Sequence, residues 1–185
     1  MSDRGVDFLA RIAADRRRRV QEASALVPVH VLRSRLPRTE PAGRLERALR
    51  RKGAAGALRM LCEVKRASPS KGMLREHVDP VATAKLYEAG GAAAVSLVTE
   101  PDHFLGDPQW MNDVRPHVKL PLLLKDFVVD SYQIVDAAAR GADAVLLLAA
   151  LLSEAEMARY ITEARLLGLD SLVEVHDEEE LAPAV

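Results

Sequence analysis

The sequence predicts an α/β protein in which a parallel sheet is wrapped by helices and preceded by a helical extension. Three observations carry that expectation. Short apolar runs alternate with amphipathic stretches from residue 57 onward, the pattern of consecutive βα units. The passage from helix to strand repeats: Leu86 to Val95, Ala138 to Val145 and Ala164 to Leu172 each read helix, glycine, one to three small or acidic residues, then strand. Residues Ala144 to Leu148 are continuously apolar, as suits a strand covered on both faces.

Residues 1-56 read as the helical extension. Phe8, Leu9, Ile12, Ala13 and Val20 recur near helical spacing over Val6 to Ala25, and a second helical stretch covers Val29 to Leu36. Pro37, Pro41 and Gly43 break the chain, and Arg44 to Arg51 predicts a third short helix before Gly53 and Gly56. Residues 57-185 read as βα units of one single domain. Strands are expected at Leu61 to Lys65, Ala93 to Val98, Leu122 to Lys125, Ala144 to Leu148 and Ser171 to Val175. Helices are expected at Pro80 to Ala89, Pro108 to Val114, Ser131 to Arg140 and Ser153 to Leu167, with another beginning at Asp177. That last helix reaches no capping glycine and no following strand, so the chain is expected to stop inside a unit. Five strands at a spacing of roughly 28 residues do not close an eight-stranded barrel, which takes about 250 residues. An open five-stranded sheet and a truncated barrel both fit.

The bulk numbers bound the class. A chain of 185 residues with 49% hydrophobic composition can bury a substantial core. A single cysteine, Cys62, excludes an internal disulfide framework and suits a reducing, cytoplasmic home. The longest apolar run, Ala144 to Leu152, is too short to span a bilayer, and no membrane role is expected. Net charge is -1, yet the first 52 residues hold fourteen Lys/Arg against six Asp/Glu, so the rest is acidic. The run Arg16 to Arg19 lies on a helical pattern without interleaved aromatics, and a solvated basic helix face is expected rather than a nucleic-acid site.

Chemistry is expected at the carboxyl ends of the strands. Glu63 and Lys65 share a strand face with Leu61, opposite Cys62 and Val64. Lys125 is in register with Leu123, and Glu174 with Leu172 and His176. Each charge alone has a structural reading, as an ion pair or a helix cap. Four of them at equivalent places on three strands are hard to attribute to stability, because apolar replacements cost nothing or help. The set suits proton transfer, with lysine as acid and carboxylate as base. Ser68-Pro69-Ser70-Lys71-Gly72 is read as ending regular structure and offering an anion-binding rim. The five histidines show no metal-site spacing, and neither a metal nor an organic cofactor is expected.

At these residues the sequence resembles the indole-3-glycerol phosphate synthase family. The resemblance rests on Cys62-Glu-Val-Lys-Arg-Ala-Ser-Pro-Ser-Lys-Gly72, Ser96-Leu-Val-Thr-Glu100 with Phe104, Leu124 to Ile134, Ala142 to Leu147 and Leu172-Val-Glu-Val-His-Asp177. It implies a (β/α)8 TIM barrel, incomplete here, whose amino-terminal extension lies against the barrel mouth. It also implies a carboxy-lyase of tryptophan biosynthesis acting on a phosphorylated small molecule, with Lys125 as general acid and Glu174 as base. Lys65 would hold substrate anions and take part in proton transfer and Glu63 would orient and tune the lysines, while Ser68 and Phe104 would line the substrate site. The full-length enzyme is expected to be a monomer. Lacking the family's later strands and phosphate loops, the 185-residue chain is expected to have little or no activity alone. Two alternatives stand beside this: another phosphate-binding barrel enzyme with Lys125 as a Schiff-base nucleophile, or a non-catalytic interaction module built on the basic extension.

Overall fold

The computed structural model describes residues 3–36, 41–50 and 56–181. Three helices come first: α1 (Asp3–Leu26), α2 (Val29–Ser34) and α3 (Arg44–Leu49). Then follow β1 (Leu61–Val64), a small hairpin of β2 (Ala67–Ser68) and β3 (Gly72–Met73), α4 (Pro80–Ala89) and β4 (Ala94–Val98). The remainder is α5 (Gln109–Val114), β5 (Leu122–Lys125), α6 (Ser131–Ala139), β6 (Ala144–Leu148), α7 (Glu154–Leu166), β7 (Asp170–Glu174) and α8 (Glu178–Leu181). The expected end of the third helix at Arg51, and Gly53, lie outside the described residues.

Five strands form one parallel sheet in the order β1-β4-β5-β6-β7. Each new strand joins the edge laid down by the one before it, so the order never reverses. A doubly wound sheet would reverse and carry helices on both faces; a barrel wall keeps them on one. Here α4, α5, α6 and α7 all pack on the same side. Val64, Val95, Leu97, Leu122, Leu124, Val145 and Leu147 point outward into one cluster with Ala84, Met111, Ile134, Met157 and Tyr160 from those helices. The architecture is therefore a wall of βα units from a barrel, as the sequence led us to expect.

Local chemistry explains why the elements begin and end where they do. Asp79 caps α4 by accepting the Ala82 N–H at 2.9 Å, and Asp130 with Gln133, like Ser153 with Glu156, forms a reciprocal capping box. The repeated helix-to-strand turns place Gly91, Gly141 and Gly168 at φ of 82°, 82° and 78°, a left-handed conformation that closes the helix and restarts the strand. One expectation fails locally. Ser68 to Gly72 does not simply end regular structure, because Ala67 and Ser68 pair with Met73 and Gly72 in an antiparallel hairpin turned by Gly72 at φ 65°.

The other face of the sheet looks into the barrel. Its register aligns Leu61 with Ala94, Ser96 with Leu123, Leu123 with Ala144 and Ala144 with Asp170. At the amino-terminal end Ala94, Leu123 and Ala144 pack around the buried Leu45 of α3, with Leu49 and Leu61 beside it. Asp170 at the start of β7 holds α3 in place by accepting the backbone N–H groups of Gly43, Leu45 (2.7 Å) and Glu46 (3.1 Å). Arg44 adds an ion pair to Asp143 at 2.6 Å, and Arg115 meets the same carboxylate at 2.7 Å. Thus α3 plugs the bottom of the wall. The resemblance implies an extension against the mouth, and α1 is the helix that meets the loops there.

Candidate active site

At the carboxyl end of the strands the inner face opens into a cavity of about 140 Å³ lined by Glu63, Lys65, Val98, Glu100, Phe104, Lys125, Asp126, Phe127, Leu146, Leu148 and Glu174. Strand alternation delivers most of them. Glu63 and Lys65 come from β1 and its end, Val98 from β4, Lys125 from β5, Leu146 and Leu148 from β6, and Glu174 from β7. Parallel register puts Val98 beside Lys125 and Leu148 beside Glu174. All four charges selected from the strand faces thus meet in one cavity.

Their pairing is specific. Glu63 bridges the two lysines, with Oε1 2.5 Å from Lys65 Nζ and Oε2 2.9 Å from Lys125 Nζ. Burial pushes the Glu63 carboxyl up, but the hydrogen bonds and charges of Lys65 and Lys125 outweigh it and hold the group below the usual glutamate range. Glu63 is therefore a carboxylate that keeps two ammonium groups at fixed positions. Glu174 lies on a different strand, apart from this triad, and its Oε1 is 3.2 Å from His176 Nε2. His176 is steadied in turn by Glu180, whose carboxylate accepts the His176 backbone N–H at 2.8 Å. A cationic pair and a carboxylate thus line the cavity from separate strands.

Between them the walls are apolar. The Phe104 and Phe127 rings contact each other at 5.9 Å and 43°, and with Val98, Leu146 and Leu148 they form an apolar wall against which a flat aromatic ring can lie. Phe104 is held by Glu100, which is fully buried and accepts the backbone N–H groups of Asp102 (2.9 Å), His103 (2.7 Å) and Phe104 (2.9 Å). The Phe104 carbonyl in turn accepts the Ala67 N–H at 3.2 Å. Ser68 is placed differently. It sits in the hairpin, its Oγ accepts the Lys71 N–H at 3.3 Å, and it is not among the residues lining this cavity.

Reading strand faces alone passed over Asp126, Glu100 and Arg16. Asp126 follows Lys125 directly, and Glu100 closes the run Ser96 to Glu100, so both had a positional signal. Arg16 had none. Its guanidinium, 8% exposed, reaches Asp126 Oδ2 at 2.7 Å. Burial pushes the Asp126 carboxyl up, to about 6, even though Arg16 pulls it down. Arg19 is paired with Asp102. The arginine run is consequently not one solvated face: Arg16 and Arg19 turn inward onto the loops after β5 and β4, while Arg17 and Arg18 stay exposed. Among the described residues no group of three or more His, Cys, Asp and Glu is arranged to hold a metal ion, and no helix is long and apolar enough to cross a membrane.

Comparison with known proteins places this geometry in a family. Residues 9–185 match the family model described as indole-3-glycerol phosphate synthase. The chain is 42% identical to the indole-3-glycerol phosphate synthase of Carboxydothermus hydrogenoformans over 96% of its own length and 69% of that protein's. Against the one from Azospirillum brasilense the identity is 41%, covering 97% of the chain and 68% of the relative. Against the one from Desulfotalea psychrophila it is 51%, covering 69% and 49%. The matched part of the chain spans from about half to about two thirds of the length of these curated relatives.

Proposed function

The chain belongs to the indole-3-glycerol phosphate synthase family of carboxy-lyases, and from that membership and the cavity together we propose that the whole protein closes an indole ring. The substrate is 1-(2-carboxyphenylamino)-1-deoxyribulose 5-phosphate; the products are indole-3-glycerol phosphate, carbon dioxide and water. One observation supports the reading above the others: two lysines share Glu63 at 2.5 and 2.9 Å, and Glu174 and an apolar wall line the same cavity.

Each group has a task that its position suits. The apolar wall of Phe104, Phe127, Val98, Leu146 and Leu148 takes the substrate's aromatic ring, and Lys65 holds its anionic groups and takes part in proton transfer. Attack of the carboxylate-bearing ring carbon on the carbonyl carbon puts negative charge on the carbonyl oxygen, and Lys125 delivers a proton to it. Departure of carbon dioxide leaves its bonding pair in the ring and restores aromaticity. Loss of the new hydroxyl as water then requires one proton to be delivered to the hydroxyl oxygen, which Lys65 supplies, and another to leave the ring-closed intermediate, which Glu174 accepts. Glu63 holds Lys65 and Lys125 in their orientations throughout. Ser68 serves as part of the rim rather than the apolar wall.

Residues 1-56 act as an extension that covers the mouth with α1, and residues 57-185 as part of one barrel domain. The protein works as a cytoplasmic monomer with no nucleic-acid or membrane partner; a lone cysteine and the inward pairing of Arg16 and Arg19 support this. Incubating the whole protein with the substrate should produce indole fluorescence together with loss of carbon dioxide. Borohydride trapping of a covalent adduct at Lys125 would instead favour the Schiff-base alternative, and absence of both signals overturns the proposal.

A further inference from the structure

Helix α1 touches both loops that carry the cavity's aromatic rings. Arg16 pairs with Asp126 at 2.7 Å and Arg19 with Asp102, while Asp15 lies 3.2 Å from His103 Nε2. The Phe8 ring meets the His103 ring edge-on at 5.7 Å, and Tyr132 donates its hydroxyl to the Val27 carbonyl at 2.9 Å. Asp126 is the centre of this arrangement. Its Oδ2 takes Arg16, its Oδ1 accepts the Phe127 N–H at 2.7 Å, and the residue before it is Lys125. The far side of the same turn is held by Gln133, which donates to the Phe127 carbonyl at 2.9 Å and accepts from the Val129 N–H at 2.8 Å.

A buried pair of this kind is a poor stabiliser, since taking both charges out of water costs about as much as their attraction returns. The raised carboxyl of Asp126 and the buried Arg16 Nε, which has no hydrogen-bond partner, both register that cost. What the pair does supply is a fixed distance between α1 and the turn Lys125 to Phe127. We propose that Arg16 is a positioning residue: through Asp126 it sets where Lys125 projects into the cavity and how far Phe127 stands from Phe104. It touches no substrate itself. The proposal rests on the acid role given to Lys125 above, and its test separates the two.

Arg16→Met, Arg16→Lys and Asp126→Asn are compared with the unaltered protein by three readouts: amide hydrogen exchange over residues 125–129, acetylation of Lys125 relative to Lys65, and turnover. Lys65 directly follows β1, pairs among the described residues with Glu63 and with no residue of α1, and serves as the internal reference. In Arg16→Met, exchange at Phe127 and the Lys125-to-Lys65 labelling ratio should rise several-fold and kcat/KM should fall about tenfold, with Arg16→Lys restoring part of each. Adding Asp126→Asn to Arg16→Met should cost little more than either change alone, because both break one link. Exchange and labelling within twofold of the unaltered protein in Arg16→Met, or fully additive losses in the double variant, overturns the proposal. Should Arg16→Met fail to fold, Arg16→Lys and Asp126→Asn carry the same comparison. Altered exchange and labelling without any turnover in the unaltered protein refutes the acid role of Lys125 and leaves the positioning of the turn standing.

Discussion

Replacing Lys125 with Met keeps the length of the side chain and removes its proton and charge. Among the described residues Lys125 makes one ion pair, to Glu63 at 2.9 Å, and its side chain is 36% exposed. A pair so open to solvent contributes at most about 1 kcal/mol after screening. Glu63 keeps Lys65 at 2.5 Å, so no carboxylate is left stranded. The change in stability should therefore stay near 1 kcal/mol, a shift of roughly 2–4 °C in Tm for a protein of this size. The change in rate should be far larger. A positioned general acid contributes about 10²–10⁴-fold, which corresponds to roughly 3–5 kcal/mol of barrier at 1.36 kcal/mol per decade. Indole fluorescence measured under saturating substrate, beside a thermal melt of the same preparation, separates the two effects. Turnover within tenfold of the unaltered protein would falsify the assignment of Lys125 as the acid, and a collapse of the melt would show that its role is structural.

Three further outcomes follow from other parts of the fold. Asp170→Ala removes the acceptor for the N–H groups of Gly43, Leu45 and Glu46 and should cost about 1–2 kcal/mol in a urea titration, with substrate affinity unchanged. Leu45→Ala empties the plug among Ala94, Leu123 and Ala144, and a loss of about 2–4 kcal/mol is expected; a loss below about 1 kcal/mol would mean that α3 does not seal the barrel floor. The Asp126 carboxyl titrates near 6 when folded against 3.8 unfolded, so the folded state holds its proton more tightly. Its contribution is present below about pH 4 and lost as pH rises through about 6. Denaturation of Asp126→Asn and the unaltered protein from pH 4 to 7.5 should show their stability difference moving in the variant's favour as pH rises, then levelling; a flat difference contradicts this.

The wall of the barrel was legible because its signals are local. Alternation along Leu61 to Lys65 already placed Glu63 and Lys65 on one side, and the same rule placed Lys125 and Glu174. Parallel register then carried those faces into one cavity. The hairpin at Ala67 to Met73 was not legible, since two-residue strands leave no period to read. The resemblance places Ser68 along the substrate site, and in the hairpin its Oγ accepts the Lys71 N–H. The run Arg16 to Arg19 predicts a solvated basic face, but a helix turns about 100° per residue, so Arg16 and Arg19 share a face that Arg17 and Arg18 do not.

By itself, then, the sequence determined the βα order, the inward face of each strand and the four charges that face carries, because all three depend on neighbours within a few residues. Only the tertiary structure decided that α3 plugs one end while α1 clasps the other, and that Arg16 finds Asp126 110 residues away. Such contacts form where the barrel wall brings distant loops together, and no local period encodes which loop will be met. The same long-range closure joins Glu63, Lys65 and Lys125 into one hydrogen-bonded group, with Glu174 lining the same cavity.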